Sequence, residues 1–131
     1  FACTHNSARP VMAAALWSDR FNRPTAAGGT TPGSRIHPTT VRTARRHRVP
    51  LLQSEPTPLR DVLGPGDLLV TVCDAANEHV ESHPHRLHWS IPDPAASGDT
   101  PSFEAAFDRL RERIDRLGSA LVQPTSEESK G

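Results

Sequence analysis

Six residues constrain the fold more than any others: Leu68-Leu69-Val70-Thr71-Val72-Cys73, an apolar and β-branched run opened by Gly64-Pro65-Gly66-Asp67. A strand with one wet face alternates polar and apolar residues. A run without alternation predicts a strand covered on both faces, as in a parallel sheet. A parallel sheet needs crossover connections, and the flanking sequence supplies helices for them. Pro10 to Phe21 suits a helix, with Met12, Ala15, Leu16 and Trp17 on its apolar side and proline in the turn that needs no N–H. Pro38 opens a second helix through Val41, Ala44 and His47.

The clearest helix comes last. Thr100 reads as its N-cap and Pro101 as its first residue, and Phe103, Phe107, Leu110, Ile114 and Leu117 share one face. Gly118 is expected to stop it, and Glu112 is expected to pair with Arg116 on the wet side. Short strands are expected at Ala26–Thr30, inside the loop from Pro24 to Arg35, and at Leu87–Ile91, which Pro92-Asp93-Pro94 ends. Pro50 to Pro58 reads as irregular.

The expected fold is therefore α/β: a three-layer, open, mainly parallel sheet with helices on both faces. One domain spans residues 1–122, followed by a polar, disordered tail over residues 123–131. If Cys3 marks the hand-over from strand to helix, only Phe1 and Ala2 precede it, so the first strand is expected to be truncated.

Composition narrows the function. Fifteen basic and fifteen acidic residues cancel, so any attraction for an anion must be local, and neither nucleic acid nor membrane is an expected partner. No apolar run reaches the ~18 residues of a membrane span. The start of the chain lacks the order of a secretory signal, and two cysteines make no disulfide framework, so a reducing cytoplasm is the expected compartment. His79, His83, His85 and His88 are crowded, but Pro84 interrupts them and no cysteine pair completes a zinc spacing; a surface loop without metal is expected. Arg42, Arg45, Arg46 and Arg48 read as a solvated face.

The chemistry points to Cys3-Thr4-His5-Asn6-Ser7-Ala8-Arg9, a cysteine and an arginine around five small or polar residues, directly before a helix. Backbone N–H groups of Thr4 to Ala8 can turn inward as an anion nest beside the positive helix end. That field favours the Cys3 thiolate, and Arg9 offers a planar fork matching two oxygens of a tetrahedral oxyanion. On spacing alone, the same two residues also fit a buried inert thiol and a solvated arginine.

The run from Phe1 to Arg9, followed by Met12-Ala13-Ala14-Ala15-Leu16, resembles the opening of the low-molecular-weight protein tyrosine phosphatase superfamily, and in particular its arsenate reductase branch. The likeness continues through Gly29-Thr30, Ile36-His37-Pro38, Asp67 to Asp74, and His88-Trp89-Ser90-Ile91-Pro92-Asp93-Pro94. It implies that Cys3 is the nucleophile, Arg9 the oxyanion clamp, Asn6 a brace for the loop and Asp93 the general acid. Cys73 matches a resolving cysteine, with a buried inert thiol as the alternative. Ala95-Ala96 stands where phosphatases carry tyrosines, which favours arsenate, whereas Asp74-Ala75-Ala76-Asn77 resembles the phosphatases.

A three-cysteine relay is excluded, because Val80 and Ala8 occupy the positions of its other thiols. No bound cofactor is expected. The resemblance implies an external reductant, either a low-molecular-weight thiol or a glutaredoxin-like or thioredoxin-like protein. Pro10 departs from the resemblance, since the family normally carries a serine there whose hydroxyl donates to the thiolate. Three functions remain open: arsenate reduction, phosphomonoester hydrolysis, and a catalytically degenerate oxyanion-binding or interaction domain.

Overall fold

The computed structural model describes residues 1–80 and 82–121. The expected tail, residues 123–131, lies outside them. Four parallel strands form one open sheet: β1 (Ala2–Cys3), β2 (Gly28–Gly29), β3 (Leu69–Thr71) and β4 (Arg86–His88), in spatial order β2-β1-β3-β4. The register pairs Ala2 with Gly28 and Thr71, and Val70 with Leu87. β1 is a two-residue strand, yet it lies inside the sheet, between β2 and β3. Leu69 to Cys73 are all buried, as the run without alternation requires, and Leu68 is exposed just outside the strand.

Four α-helices accompany the sheet: α1 (Arg9–Phe21), α2 (Pro38–Arg46), α3 (Asp74–His79) and α4 (Thr100–Leu121). α1 packs against α4, and α2 against both, over the face of the sheet that carries Cys3, Val70 and Val72. Met12, Trp17, Phe103, Phe107, Leu110 and Ile114 join these residues in the main core. The alternate positions, Ala2 and Leu69, face a smaller cluster with Leu59, Val62 and Leu63 from the short 3-10 turn after the irregular segment. Strand periodicity thus splits the core into two unequal layers.

Local chemistry explains the boundaries. Ala13-Ala14-Ala15-Leu16 are strong helix formers inside α1, and Asn22 ends it at a left-handed φ of 51°, donating its N–H to the Ser18 carbonyl. At the start of α4 the cap is Asp99, not Thr100: its Oδ1 accepts the Ser102 N–H at 3.0 Å. Gly118 does not stop α4, which runs on to Leu121. A β-carbon there would fall 1.9 Å from Cζ of Phe21, so this glycine serves the close approach of α1 and α4. α3, only six residues long, carries too few apolar repeats to be anticipated. Among the described residues, no helix is long and apolar enough to cross a membrane.

Candidate active site

The strand order decides where the site lies. From β1 the chain crosses to β2 on one side, then returns to lay β3 on the other, so the loops leaving β1 and β3 diverge. Such a switch point opens a crevice at the carboxyl ends of the strands. Cys3 ends β1 and Cys73 follows β3 by two residues, so both cysteines reach the crevice from adjacent strands.

The loop after β1 is held open by its carbonyls. Those of Cys3, Thr4 and His5 accept the N–H groups of Thr30, Thr31 and Gly33 at 2.8–3.0 Å. The Ser7 carbonyl accepts the His37 N–H at 3.0 Å and the Thr40 hydroxyl at 2.8 Å, and Ala8 receives Met12. The carbonyls are engaged by neighbouring segments, which leaves the amides of the loop outside that network. The N–H groups of Asn6, Ser7 and Ala8 donate to no carbonyl among the described residues, and that of His5 points to the Cys3 sulfur. This is the geometry of an anion nest at a helix start.

Asn6 sets the turn. It is fully buried at φ 57°, and its Oδ1 accepts the Thr57 N–H at 2.9 Å and Gln53 Nε2 at 2.8 Å. Its Nδ2 is the one buried side-chain polar atom without a partner among the described residues. Gly29 lies directly beneath: a β-carbon there would meet the Thr4 carbonyl oxygen at 2.6 Å.

Arg9 reaches across this nest. Its Nη1 donates to the carbonyls of Val72 (3.2 Å) and Ile91 (2.7 Å), which fixes the guanidinium plane. Its Nη2 then stands 3.7 Å from Cys3 Sγ and 3.8 Å from Asp93 Oδ2. Asp93 is half exposed, at the mouth of the crevice; its Oδ1 caps the short turn Pro94–Ala96 by accepting the Ala95 N–H.

Cys73 Sγ lies 3.4 Å from the Thr4 hydroxyl and within hydrogen-bonding reach of Cys3. Both cysteines are free and buried. The bond between the two thiols is the largest influence on each: it pushes Cys3 above the ordinary thiol range and draws Cys73 below it. Burial pushes Cys3 up further, while Arg9 and the His5 amide pull it down. Each thiol thus influences the ionisation of the other.

A second network flanks Cys73. His88 Nδ1 pairs with the Thr71 hydroxyl at 2.7 Å, and its Nε2 with Asp74 Oδ1 at 2.8 Å. A carboxylate only accepts, so Nε2 carries a hydrogen. The Ser90 hydroxyl adds a third bond to Asp74 at 3.2 Å. The His88 and Ser90 bonds hold the Asp74 carboxyl below its usual range.

The sequence model of the low molecular weight phosphotyrosine protein phosphatase family matches residues 1–127. The chain belongs to that family. An arsenate reductase of Bacillus anthracis is 31% identical over 126 residues, covering 89% of this chain and 90% of the relative. The crystal structure of an arsenate reductase from Archaeoglobus fulgidus superposes with a TM-score of 0.75 at 26% identity, covering 89% of this chain and 95% of that one. A thioredoxin-dependent arsenate reductase of Corynebacterium glutamicum gives a TM-score of 0.69 at 25% identity, covering 92% of this chain and 59% of that one. As a member of the low molecular weight phosphatase family, this chain is a cysteine-based enzyme.

Of the residues expected at the site, Arg9 links Cys3 with Asp93, Thr4 stands against Cys73, and Thr4, His5, Asn6, Ser7 and Ala8 form the loop between Cys3 and Arg9. Pro10 sits buried in the first turn of α1, where no N–H is needed, so the helix tolerates it. The partners of the Cys3 sulfur are Arg9, the His5 amide and Cys73.

Sequence reasoning missed Thr40, Gln53 and Thr57, which brace the loop, and the Thr4 hydroxyl as a partner of Cys73. Isolated polar residues far apart in the chain gave no spacing signal for them. The histidines disperse: His83 pairs with the Asp67 carbonyl and His88 joins the Asp74 network, while His79 points back to the Ala75 carbonyl. Among the described residues, no three of His, Cys, Asp and Glu converge as metal ligands. Arg42, Arg45, Arg46 and Arg48 are exposed, with Arg46 tied to Glu104.

Proposed function

We propose that this chain reduces arsenate to arsenite through a cysteine–arsenate adduct, with Cys3 as nucleophile and Cys73 as resolving thiol. One observation carries the reading: a second cysteine, Cys73, leaves the strand paired with β1 and stands 3.4 Å from the hydroxyl of Thr4, the residue next to Cys3 in the loop that leads to Arg9. A phosphatase needs only the first sulfur. A reductase without a third thiol needs a resolving thiol, either this second cysteine or an external thiol that attacks the adduct.

Arsenate lies in the nest, its oxygens receiving the loop N–H groups and Arg9. The Cys3 thiolate attacks arsenic, an As–O bond breaks, and Asp93 delivers a proton so that the oxygen departs as water. Cys73 then passes its proton to an oxygen on arsenic, and its thiolate attacks the Cys3 sulfur. An S–S bond forms, the S–As bond breaks, and its electron pair stays on arsenic, which leaves as arsenite. Two equivalents of an external thiol return the disulfide to two thiols and become a disulfide themselves. A low-molecular-weight thiol or a thioredoxin-like or glutaredoxin-like protein fills that role, and the cytoplasm supplies the reducing conditions.

The rim of the crevice supports the smaller substrate. Ala95 and Ala96 follow Asp93 in the short turn and offer no aromatic wall for a phosphotyrosine ring. Purified protein supplied with dithiothreitol should convert arsenate to arsenite, and Cys73→Ser should abolish that turnover while sparing hydrolysis of an aryl phosphate. Aryl phosphate hydrolysis without any arsenite production would assign the chain to the phosphatases. Inertness towards both substrates would leave an oxyanion-binding domain.

A further inference from the structure

A shallow cavity of about 230 Å³ opens beside the oxyanion nest, lined by Arg9, Cys73, Asp74, Ser90, Ile91 and Pro92. It touches Cys73 but not Cys3, and it shares Arg9 and Cys73 with the arsenate site. We infer that this cavity is the entry site for the reducing thiol, that the thiol attacks Cys73 rather than Cys3, and that its rim selects a small neutral or cationic thiol over an anionic one. The inference rests on the Cys3–Cys73 disulfide proposed above.

Thiol–disulfide exchange is an in-line displacement, so the sulfur that can be approached is the one that is attacked. Either sulfur would leave into waiting donors: Cys3 towards Arg9 Nη2 at 3.7 Å, Cys73 towards the Thr4 hydroxyl at 3.4 Å. The reduced pair carries its charge more readily on Cys73 than on Cys3, so leaving-group stabilisation does not favour attack on Cys73, and access must decide. Cys3 lies at the end of β1 beneath the loop that holds the oxyanion, whereas Cys73 forms part of the cavity wall.

The exchange proceeds in two balanced steps. An incoming thiolate bonds to Cys73 Sγ, the Cys3–Cys73 bond breaks, and Cys3 departs as a thiolate. A second thiolate then bonds to the first thiol's sulfur and releases Cys73.

Charge at the rim sets the preference. Asp74 is highly exposed at the cavity, and its bonds from His88 and Ser90 keep it ionised. Arg9, the cation of the cavity wall, has its Nη1 committed to two carbonyls and its Nη2 turned to Cys3 and Asp93. An approaching molecule therefore meets the exposed Asp74 carboxylate before the largely buried Arg9 guanidinium.

The test starts from wild-type protein oxidised with diamide, which needs no arsenate. Loss of two hydrogens by mass spectrometry, with a Cys3–Cys73 linked peptide, establishes the disulfide; if it does not form, the functional reading above fails, and this inference with it. The oxidised protein is then mixed with limiting cysteamine, 2-mercaptoethanol or thioglycolate, compared at equal thiolate concentration and quenched with N-ethylmaleimide. The expected result is a mixed disulfide on Cys73 with maleimide on Cys3, formed about threefold or more faster by cysteamine than by thioglycolate. Asp74→Asn should shrink that ratio, as should high salt. A mixed disulfide found on Cys3, or in equal amounts on both cysteines, overturns the site of attack. An equal or faster reaction with thioglycolate overturns the charge selection. Both measurements use wild-type protein, so they stand even if the Asp74 variant folds poorly.

Discussion

Replacing Asn6 tests the claim that one buried side chain holds the oxyanion loop in shape. Its Oδ1 accepts the Thr57 N–H at 2.9 Å and Gln53 Nε2 at 2.8 Å. Gln53 keeps another acceptor, the Glu55 carbonyl, but Thr57 loses its partner. Stranding a half-buried N–H costs about 1–3 kcal/mol, towards the lower end where water can reach it. Losing Nδ2, which has no partner, returns part of that.

Backbone strain separates two variants. At φ 57° alanine suffers a left-handed penalty of about 1–2 kcal/mol. Glycine escapes it, at an entropic cost of about 0.5–1 kcal/mol. Asn6→Gly is therefore expected to lose about 1–2 kcal/mol of stability, and Asn6→Ala about 0.5–1 kcal/mol more. Urea unfolding at pH 7 reads the stability. Titration with phosphate reads the nest, with affinity expected to fall about tenfold, equivalent to about 1.4 kcal/mol of lost alignment. If both variants match wild type in urea midpoint and phosphate affinity, the reasoning is wrong, and the outward-facing carbonyl bonds alone hold the loop.

Further outcomes follow from the same geometry. Gly29→Ala should weaken phosphate binding sharply, because its new methyl meets a backbone oxygen at 2.6 Å and the loop must shift; unchanged affinity by calorimetry would contradict this. Gly118→Ala should destabilise by about 1–3 kcal/mol through crowding against Phe21, although alanine is the better helix former. In a Phe21→Leu background the same change should become neutral or stabilising, whereas a helix-ending role for this glycine would predict a loss in both. Glu104 ties α4 to α2, accepting from Arg46 and His47, each at 2.7 Å. Burial pushes its carboxyl up, but the hydrogen bonds from His47 and Arg46 outweigh this and hold it below the ordinary value of 4.5. A depressed folded-state pKa contributes stability above the unfolded value, and that contribution vanishes as pH falls through the folded one. Glu104→Gln should thus cost roughly 1 kcal/mol at pH 7 and progressively less as the pH falls below 4.5, read from urea midpoints across that range. His88→Ala should slow diamide-driven formation of the Cys3–Cys73 disulfide several-fold by releasing Thr71 and Asp74, while His88→Gln should recover part of the rate.

Much of this protein was legible in its sequence, because the signals were local. An unbroken apolar run announces a doubly covered strand whatever surrounds it, and Leu69 to Cys73 are buried. A cysteine and an arginine around a short polar loop before a helix carry their chemistry with them, since N–H groups and a guanidinium act over a few residues. Boundaries were weaker. Thr100 and Gly118 have the right chemistry for a cap and a stop, yet Asp99 makes the cap, and Gly118 is small because Phe21 lies against it.

What tertiary structure alone decided is which distant residues share the crevice. The strand order β2-β1-β3-β4 lays β1 beside β3, and so brings Cys73 to Cys3 across nearly the whole sheet-forming segment. Thr40 and Thr57 reach the loop in the same way, from parts of the chain with no periodic relation to it. A residue pattern records what one segment prefers. Strand order arises from how all segments bury their apolar faces together, and no single segment encodes it.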